Sequence, residues 1–166
     1  MEICSIGDGL IMKEINLTKG MFVLVDDDDY EYLNSFNWCV SSHGYAKAGI
    51  NKKTVYMHRM IMGYPKGYQI DHINENKLDN RKENLRICTS SQNRRNISVR
   101  KDNTSGYKGV TKYLYGDGWV AKINNGYKTI NLGIFATLED AAIAYNRKAI
   151  ELFGEFSKLN IIEMKE

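Results

Sequence analysis

Asp71 and His72 stand side by side, and a pair of that kind is equipped for hydrolysis. A histidine, with an unperturbed pKa of about 6.5, can accept a proton from water at neutral pH without first losing its own. The aspartate is a hard oxygen donor suited to Mg²⁺, which usually keeps several waters and takes only one or two protein ligands. Breaking a phosphodiester needs an activated water and a cation to neutralise charge on the phosphate and the leaving oxygen, held near the same phosphorus. Adjacent side chains on a strand point to opposite faces, so the two serve one site only where a strand ends or bulges. A second oxygen donor from a following helix would complete a cation site, and Asn93 is placed for that.

The surrounding pattern supplies those elements. Gln69 to His72 reads as a short strand, 73–84 as a loop rich in Asn, Asp, Glu and Lys, and Leu85 to Cys88 as a second strand. Thr89-Ser90-Ser91-Gln92 is a capping-box pattern that starts a helix carrying Asn93 in its first turns. Upstream, strands are expected over Ile15 to Leu17 and Met21 to Val25 around a Lys19-Gly20 turn, then a helix over Tyr30 to Phe36 capped by Asp27 or Asp28. A small antiparallel sheet follows, from Trp38 to Val40, Tyr45 to Ala48 and Thr54 to Met57, with Gly44 and 49–51 at its turns. A helical turn from His58 to Met62 ends at Gly63. The run Asp26 to Asp29 lacks the glycine and distal glutamate of a calcium loop, so it reads as a solvated turn and helix cap. His43 reads as exposed; His58 could lie near the Asp71–His72 pair, but packing of its own helical turn is the favoured reading.

The run from Ile70 to Arg86, with Asp71-His72, Asn84 and the later Asn93, closely resembles the HNH homing endonucleases of phages and group I introns. Tyr56-Met57-His58-Arg59 and Leu17-Thr18-Lys19-Gly20 look like that family's lead-in. The resemblance implies a ββα-metal (His-Me finger) core over 69–96, one Mg²⁺ (or Mn²⁺) on Asp71 and Asn93, His72 as general base, and Asn84 as the residue that orients it. Asn93 stands where the family's name expects a final histidine.

The other half of the chain is basic. From Arg94 to Lys128, eight cations (Arg94, Arg95, Arg100, Lys101, Lys108, Lys112, Lys122 and Lys128) against Asp102 and Asp117 leave +6, although the whole chain carries only +3. Alternation over Trp119 to Asn124 and Thr129 to Leu132 gives strands with one apolar face. Ala141, Tyr145, Ala149 and Leu152 follow helical spacing and can cover that face, with Gly154 ending the helix. Ser105-Gly106-Tyr107-Lys108-Gly109-Val110, Trp119 to Ile123, Leu132 to Asn146 and Gly154 to Asn160 resemble the Apetala/ethylene-response-factor DNA-binding domain. Similar domains lay the polar face of the sheet in the major groove. Positions matching that face are Lys108, Thr111, Tyr113, Lys122, Asn124, Thr129 and Asn131. Many are arginine or tryptophan in the plant factors, so the resemblance implies a different preferred sequence and a larger share of phosphate contacts.

The 166 residues, 43% hydrophobic, suffice for two small cores. No apolar run approaches a membrane span, and Glu2 and Asp8 stand where a secretory signal would carry lysines, so a cytoplasmic protein, in the host cell if phage-encoded, is expected. Cys4, Cys39 and Cys88 form neither a disulfide framework nor a Cys-x-x-Cys knuckle, and zinc-finger spacing is absent. The expectation is an α+β protein: a nuclease domain over 1–96, a basic linker over 97–105, and a three-stranded sheet packed on one helix over 106–160. Double-stranded DNA is the expected partner. One site per chain nicks one strand, or cuts both as a homodimer. The rival reading is a catalytically inactive DNA-binding regulator of a phage or mobile element.

Overall fold

The computed structural model describes residues 12–97, 99 and 102–162, so Cys4, Arg100 and Lys101 lie outside the described residues. It is a mixed α/β chain of small antiparallel sheets and few helices that divides into two compact units, 1–90 and 91–166. No helix among the described residues is long and apolar enough to cross a membrane.

In the first unit, β1 (Met12–Asn16) and β2 (Phe22–Asp26) form a hairpin in the register Glu14↔Leu24, and their inward side chains Ile15, Val23 and Val25 are buried. The chain reverses at Lys19 and Gly20, both at positive φ. Helix α1 (Asp27–Asn34) starts three residues earlier than the sequence expectation. The cap position falls to Asp26, and its carboxylate accepts the Lys82 amide (2.8 Å) instead of capping the helix. Asp27, Asp28 and Asp29 therefore lie inside the first turn, where negative charge complements the helix dipole. Asp27 and Asp29 also pair with Lys13 and Lys82.

The next sheet is β3 (Cys39–Val40), β4 (Ala46–Ile50) and β5 (Lys53–Tyr56) in that order. Asn51 and Lys52, both at positive φ, make the two-residue β4–β5 turn, which leaves Gly49 inside β4 rather than at the turn. Helix α2 (Met57–Ile61) buries Met57 against Ile15, Val23, Leu33 and Trp38. Strands β6 (Gln69–His72) and β7 (Leu85–Cys88) then pair as a two-stranded sheet, followed by α3 (Ser90–Asn93).

The second unit is the sheet β10–β9–β8, built from β8 (Val110–Lys112), β9 (Trp119–Asn124) and β10 (Thr129–Phe135), with α4 (Leu138–Phe153) packed on it. Thr137 caps α4 by accepting from the Asp140 amide (3.1 Å), and Gly154 at φ +53° ends it. Ala141, Tyr145 and Ala149 are buried as their spacing predicts, and Ala142 joins them. The ring of Tyr145 crosses the sheet where a Cβ on Gly109 would lie 2.3 Å from it, so only glycine fits there.

Candidate active site

His72 is the last residue of β6 and faces Leu85, while Asp71 faces Arg86 across the ladder. The strand thus ends at the Asp71–His72 pair, and both residues are buried, at 6% and 4% exposure. A charge buried so deeply needs a partner. Arg86 provides it, with Nε and Nη2 donating to Asp71 Oδ2 at 2.9 and 2.6 Å.

The imidazole is held by Asn80, whose Oδ1 lies 3.1 Å from His72 Nε2. Asn80 is 0% exposed, and its position is fixed from outside the loop. Its backbone amide donates to the Leu24 carbonyl (2.8 Å), and the Leu24 amide donates to Leu78 O (2.8 Å), so strand β2 grips the loop on both sides of Asp79. Within the loop, Asn84 Oδ1 accepts the Asn74 amide (2.9 Å) and Asn84 Nδ2 donates to Asp79 O (2.8 Å). The Asp79 carboxylate receives Arg81 Nε (2.8 Å), Arg81 Nη2 (2.7 Å) and Asn74 Nδ2 (2.8 Å). The long polar loop of the sequence is thus a cross-braced structure. The Arg81 guanidinium and the Asn74 amide hold the Asp79 carboxyl below its usual range, against the opposing effect of burial.

The sequence resemblance gives the orienting role to Asn84. In the structure it is the Asn80 amide that meets the imidazole, while Asn84 ties together the backbone on either side of it. The sequence offers no signal that selects Asn80 among the loop asparagines, because the selection is made by β2, more than fifty positions upstream.

Burial lowers the His72 pKa, opposed by the Asn80 contact and by Asp71 and Asp79. The site is walled by rings. The imidazole of His58 lies edge-on to His72 with centroids 5.3 Å apart, and Tyr45 stands 5.0 Å from His58 and 5.8 Å from His72. His58 therefore belongs to the site's wall and not only to its own helical turn. Its pKa is pushed down to about 4 by burial, then by His72 and Arg59. Lys77 sits over the Tyr45 ring (4.7 Å), and its Nζ donates to His43 O (2.9 Å). Among the described residues no group of three or more His, Cys, Asp and Glu gathers to hold a metal.

Residues 55–95 match the family model of HNH endonucleases. An uncharacterized HNH endonuclease of Acanthamoeba polyphaga mimivirus is 33% identical over 151 residues, spanning 87% of this chain and 78% of that protein. The chain belongs to the HNH endonuclease family. Protein 3.8 of Escherichia phage T7 is 35% identical over 94 residues, 57% of this chain and 77% of that protein. An AP2-like ethylene-responsive transcription factor of Arabidopsis thaliana is 43% identical over 63 residues, 37% of this chain but only 18% of the plant protein.

The remaining candidate residues of this HNH protein fall in the second unit. Asn93 closes α3 and is followed by Arg94, which is exposed. Arg95 lies 4.1 Å over the Phe153 ring, and its Nη2 donates to Asn125 O (3.3 Å). Lys108, expected on the reading face, instead donates from Nζ to the carbonyls of Arg95 (2.7 Å) and Ile97 (2.8 Å). Lys122 is opposite Asn131 and Asn124 opposite Thr129, all four exposed on one face with Thr111. Tyr113 is half-buried just beyond β8.

Proposed function

We propose that this protein hydrolyses phosphodiester bonds of double-stranded DNA, with His72 as the general base. The contact between Asn80 Oδ1 and His72 Nε2 carries this reading. A carboxamide oxygen only accepts, so Nε2 holds the ring proton and the lone pair of the neutral imidazole belongs to Nδ1. Burial keeps the imidazole neutral at physiological pH, the form a base requires. Asn84 acts as a positioning residue by holding the backbone that carries Asn80.

Asp71 and Asn93 would hold one Mg²⁺ (or Mn²⁺), since a carboxylate and a carboxamide oxygen are the hard donors such an ion takes. When bound, the ion supplies neutralising charge at the phosphate and at the departing 3′-oxygen. Arg86 fixes the orientation of the Asp71 carboxylate. Strands β6 and β7 with α3 would form the ββα-metal core of a nuclease domain over 1–96 of the homing type. The domain over 106–160, joined by 97–105, would select the site through Lys122, Asn124, Thr129, Asn131, Thr111 and Tyr113. The basic residues Arg94, Arg95, Arg100, Lys101 and Lys108 would meet phosphates. The single site makes a nick per chain, and two copies make a double cut.

The test is nicking of supercoiled DNA. It should require Mg²⁺ or Mn²⁺, stop on chelation, and fall by about 10²-fold or more in Asp71→Asn and in Asn93→Ala with DNA binding retained. Equal inertness of wild type and variants on DNA that all of them bind would make the protein a regulator instead.

A further inference from the structure

His58 is a buried titratable group to which the hydrolysis described above gives no task. It is the second residue of α2, and the first, Met57, is locked in the core at 0% exposure. Its ring meets three others, with centroids 5.0 Å away at Tyr45, 5.3 Å at His72 and 5.8 Å at Tyr56. Tyr45 also meets His72, so it backs both imidazoles. His58 is 8% exposed, and its Nδ1 is buried with no hydrogen-bond partner among the described residues. A buried polar atom left idle costs stability, and a phenylalanine would fill the same place in the wall without that cost. Packing alone therefore does not account for a histidine here. A proton on Nδ1 would be a buried donor with no acceptor, so the neutral ring carries its proton on Nε2 and offers a lone pair at Nδ1. Burial, then His72 and Arg59, lowers the pKa to about 4, which keeps that lone pair free of a proton at physiological pH.

We infer that His58 is a further catalytic residue, whose Nδ1 accepts one hydrogen of the water that His72 activates. The spacing allows it. A water lies about 4 Å from the centre of an imidazole whose nitrogen it bonds, so two rings with centroids 5.3 Å apart can share one. A duplex phosphate cannot reach a nitrogen buried among rings, whereas a single water with polar partners can. With both of its hydrogens accepted, that water holds a lone pair toward phosphorus instead of turning freely, which is the orientation that in-line attack requires. His72 takes one proton, the water oxygen forms the new bond to phosphorus, and the bond to the 3′-oxygen breaks with its electron pair left on that oxygen. The second hydrogen stays with the product phosphate, and His58 takes no proton. The inference rests on the reading of His72 as the general base and adds the group that aims the nucleophile.

The full-length protein decides it through the single-turnover nicking rate on supercoiled DNA with Mg²⁺, measured beside the affinity for the same DNA. Three substitutions separate the atom from the ring. His58→Phe keeps the packing and loses the nitrogen, so the rate should fall about 10- to 10²-fold with affinity unchanged. His58→Asn places an amide oxygen where Nδ1 stands and should recover most of that loss. His58→Gln reaches the Nε2 position instead and should not. The contrast of Asn with Gln holds even if Phe loosens the wall. In the His72→Ala background, His58→Phe should lower the residual rate by less than about 3-fold, because two groups acting on one water are not additive. A His58→Phe protein that nicks at the wild-type rate while His72→Ala does not overturns the role of His58 and leaves the general base in place. So does an Asn variant as slow as the Gln variant. A His72→Ala protein that nicks at the wild-type rate sinks the base reading, and this inference falls with it.

Discussion

Around His72 the interior of the first unit is polar: Asp71, Asp79, Asn80 and Asn84 are all buried. The second unit closes over Val110, Ala121, Ile123, Ala141, Tyr145 and Ala149, and its buried Asn160 serves to clamp the chain by bonding both the amide and the carbonyl of Lys108. The contrast follows from what each unit must present. Orienting an imidazole takes directional bonds from groups that cannot rotate, so the first unit spends buried carboxamides and carboxylates on one loop. Presenting a flat row of polar side chains takes only a stiff platform, and apolar packing of α4 under the sheet provides that.

The largest expected effect that separates the units comes from Arg86→Met. It removes the guanidinium that pairs with the buried Asp71 carboxylate, and should cost about 3–5 kcal/mol, read as a lowered denaturant midpoint of the first unit with the second unchanged. Gly109→Ala is the counterpart in the second unit. The new Cβ would meet the Tyr145 ring at 2.3 Å and the Lys122 carbonyl oxygen at 2.5 Å, at a residue with φ of +75°, so about 3 kcal/mol or more is expected. Its unfolding transition should shift while the His58 and His72 NMR signals stay put. If either substitution moves both transitions equally, the units are not energetically separate.

Asn80→Ala should have a smaller effect on folding and a specific one on chemistry. Removing the Asn80 carboxamide takes away the contact at His72 Nε2, for a loss of about 1–3 kcal/mol, and the nicking rate should fall about 10-fold or more with DNA affinity unchanged. An unaltered rate would detach Asn80 from the imidazole.

The smallest effects are pH dependences of opposite sense. His58 has a folded pKa lowered to about 4 from 6.5, so its contribution is complete above about pH 6.5 and is lost as pH falls toward 4. Tyr145 has a folded pKa raised to about 12 from 10, so its contribution is complete below about pH 10 and is lost as pH rises toward 12. The first unit should therefore weaken on the acid side and the second on the alkaline side. His58→Phe and Tyr145→Phe should flatten these dependences, and a flat wild-type profile in either range would remove the corresponding assignment.

Much of this was legible in the sequence wherever the information is local. Alternation over Trp119 to Asn124 and the spacing of Ala141, Tyr145 and Ala149 predict the sheet and the helix that covers it, and the Asp71-His72 run predicts a strand ending at the histidine. What the sequence does not show is carried by tertiary bonds across long separations. Leu24 gripping the loop at Leu78 and Asn80, and Asp26 accepting from Lys82 in place of capping α1, depend on where β2 comes to rest. The same applies to Lys108, which charge and the resemblance to the plant DNA-binding domain place among DNA contacts and whose ammonium in the fold donates to the carbonyls of Arg95 and Ile97.

The most direct trial of the central claim is the single-turnover nicking rate of His72→Ala against wild type, on supercoiled DNA with Mg²⁺, alongside the affinity of each for the same DNA. The geometry around His72 predicts a rate reduced by about 10²- to 10⁴-fold with affinity preserved. A variant that nicks at the wild-type rate would show that this imidazole takes no proton in the reaction.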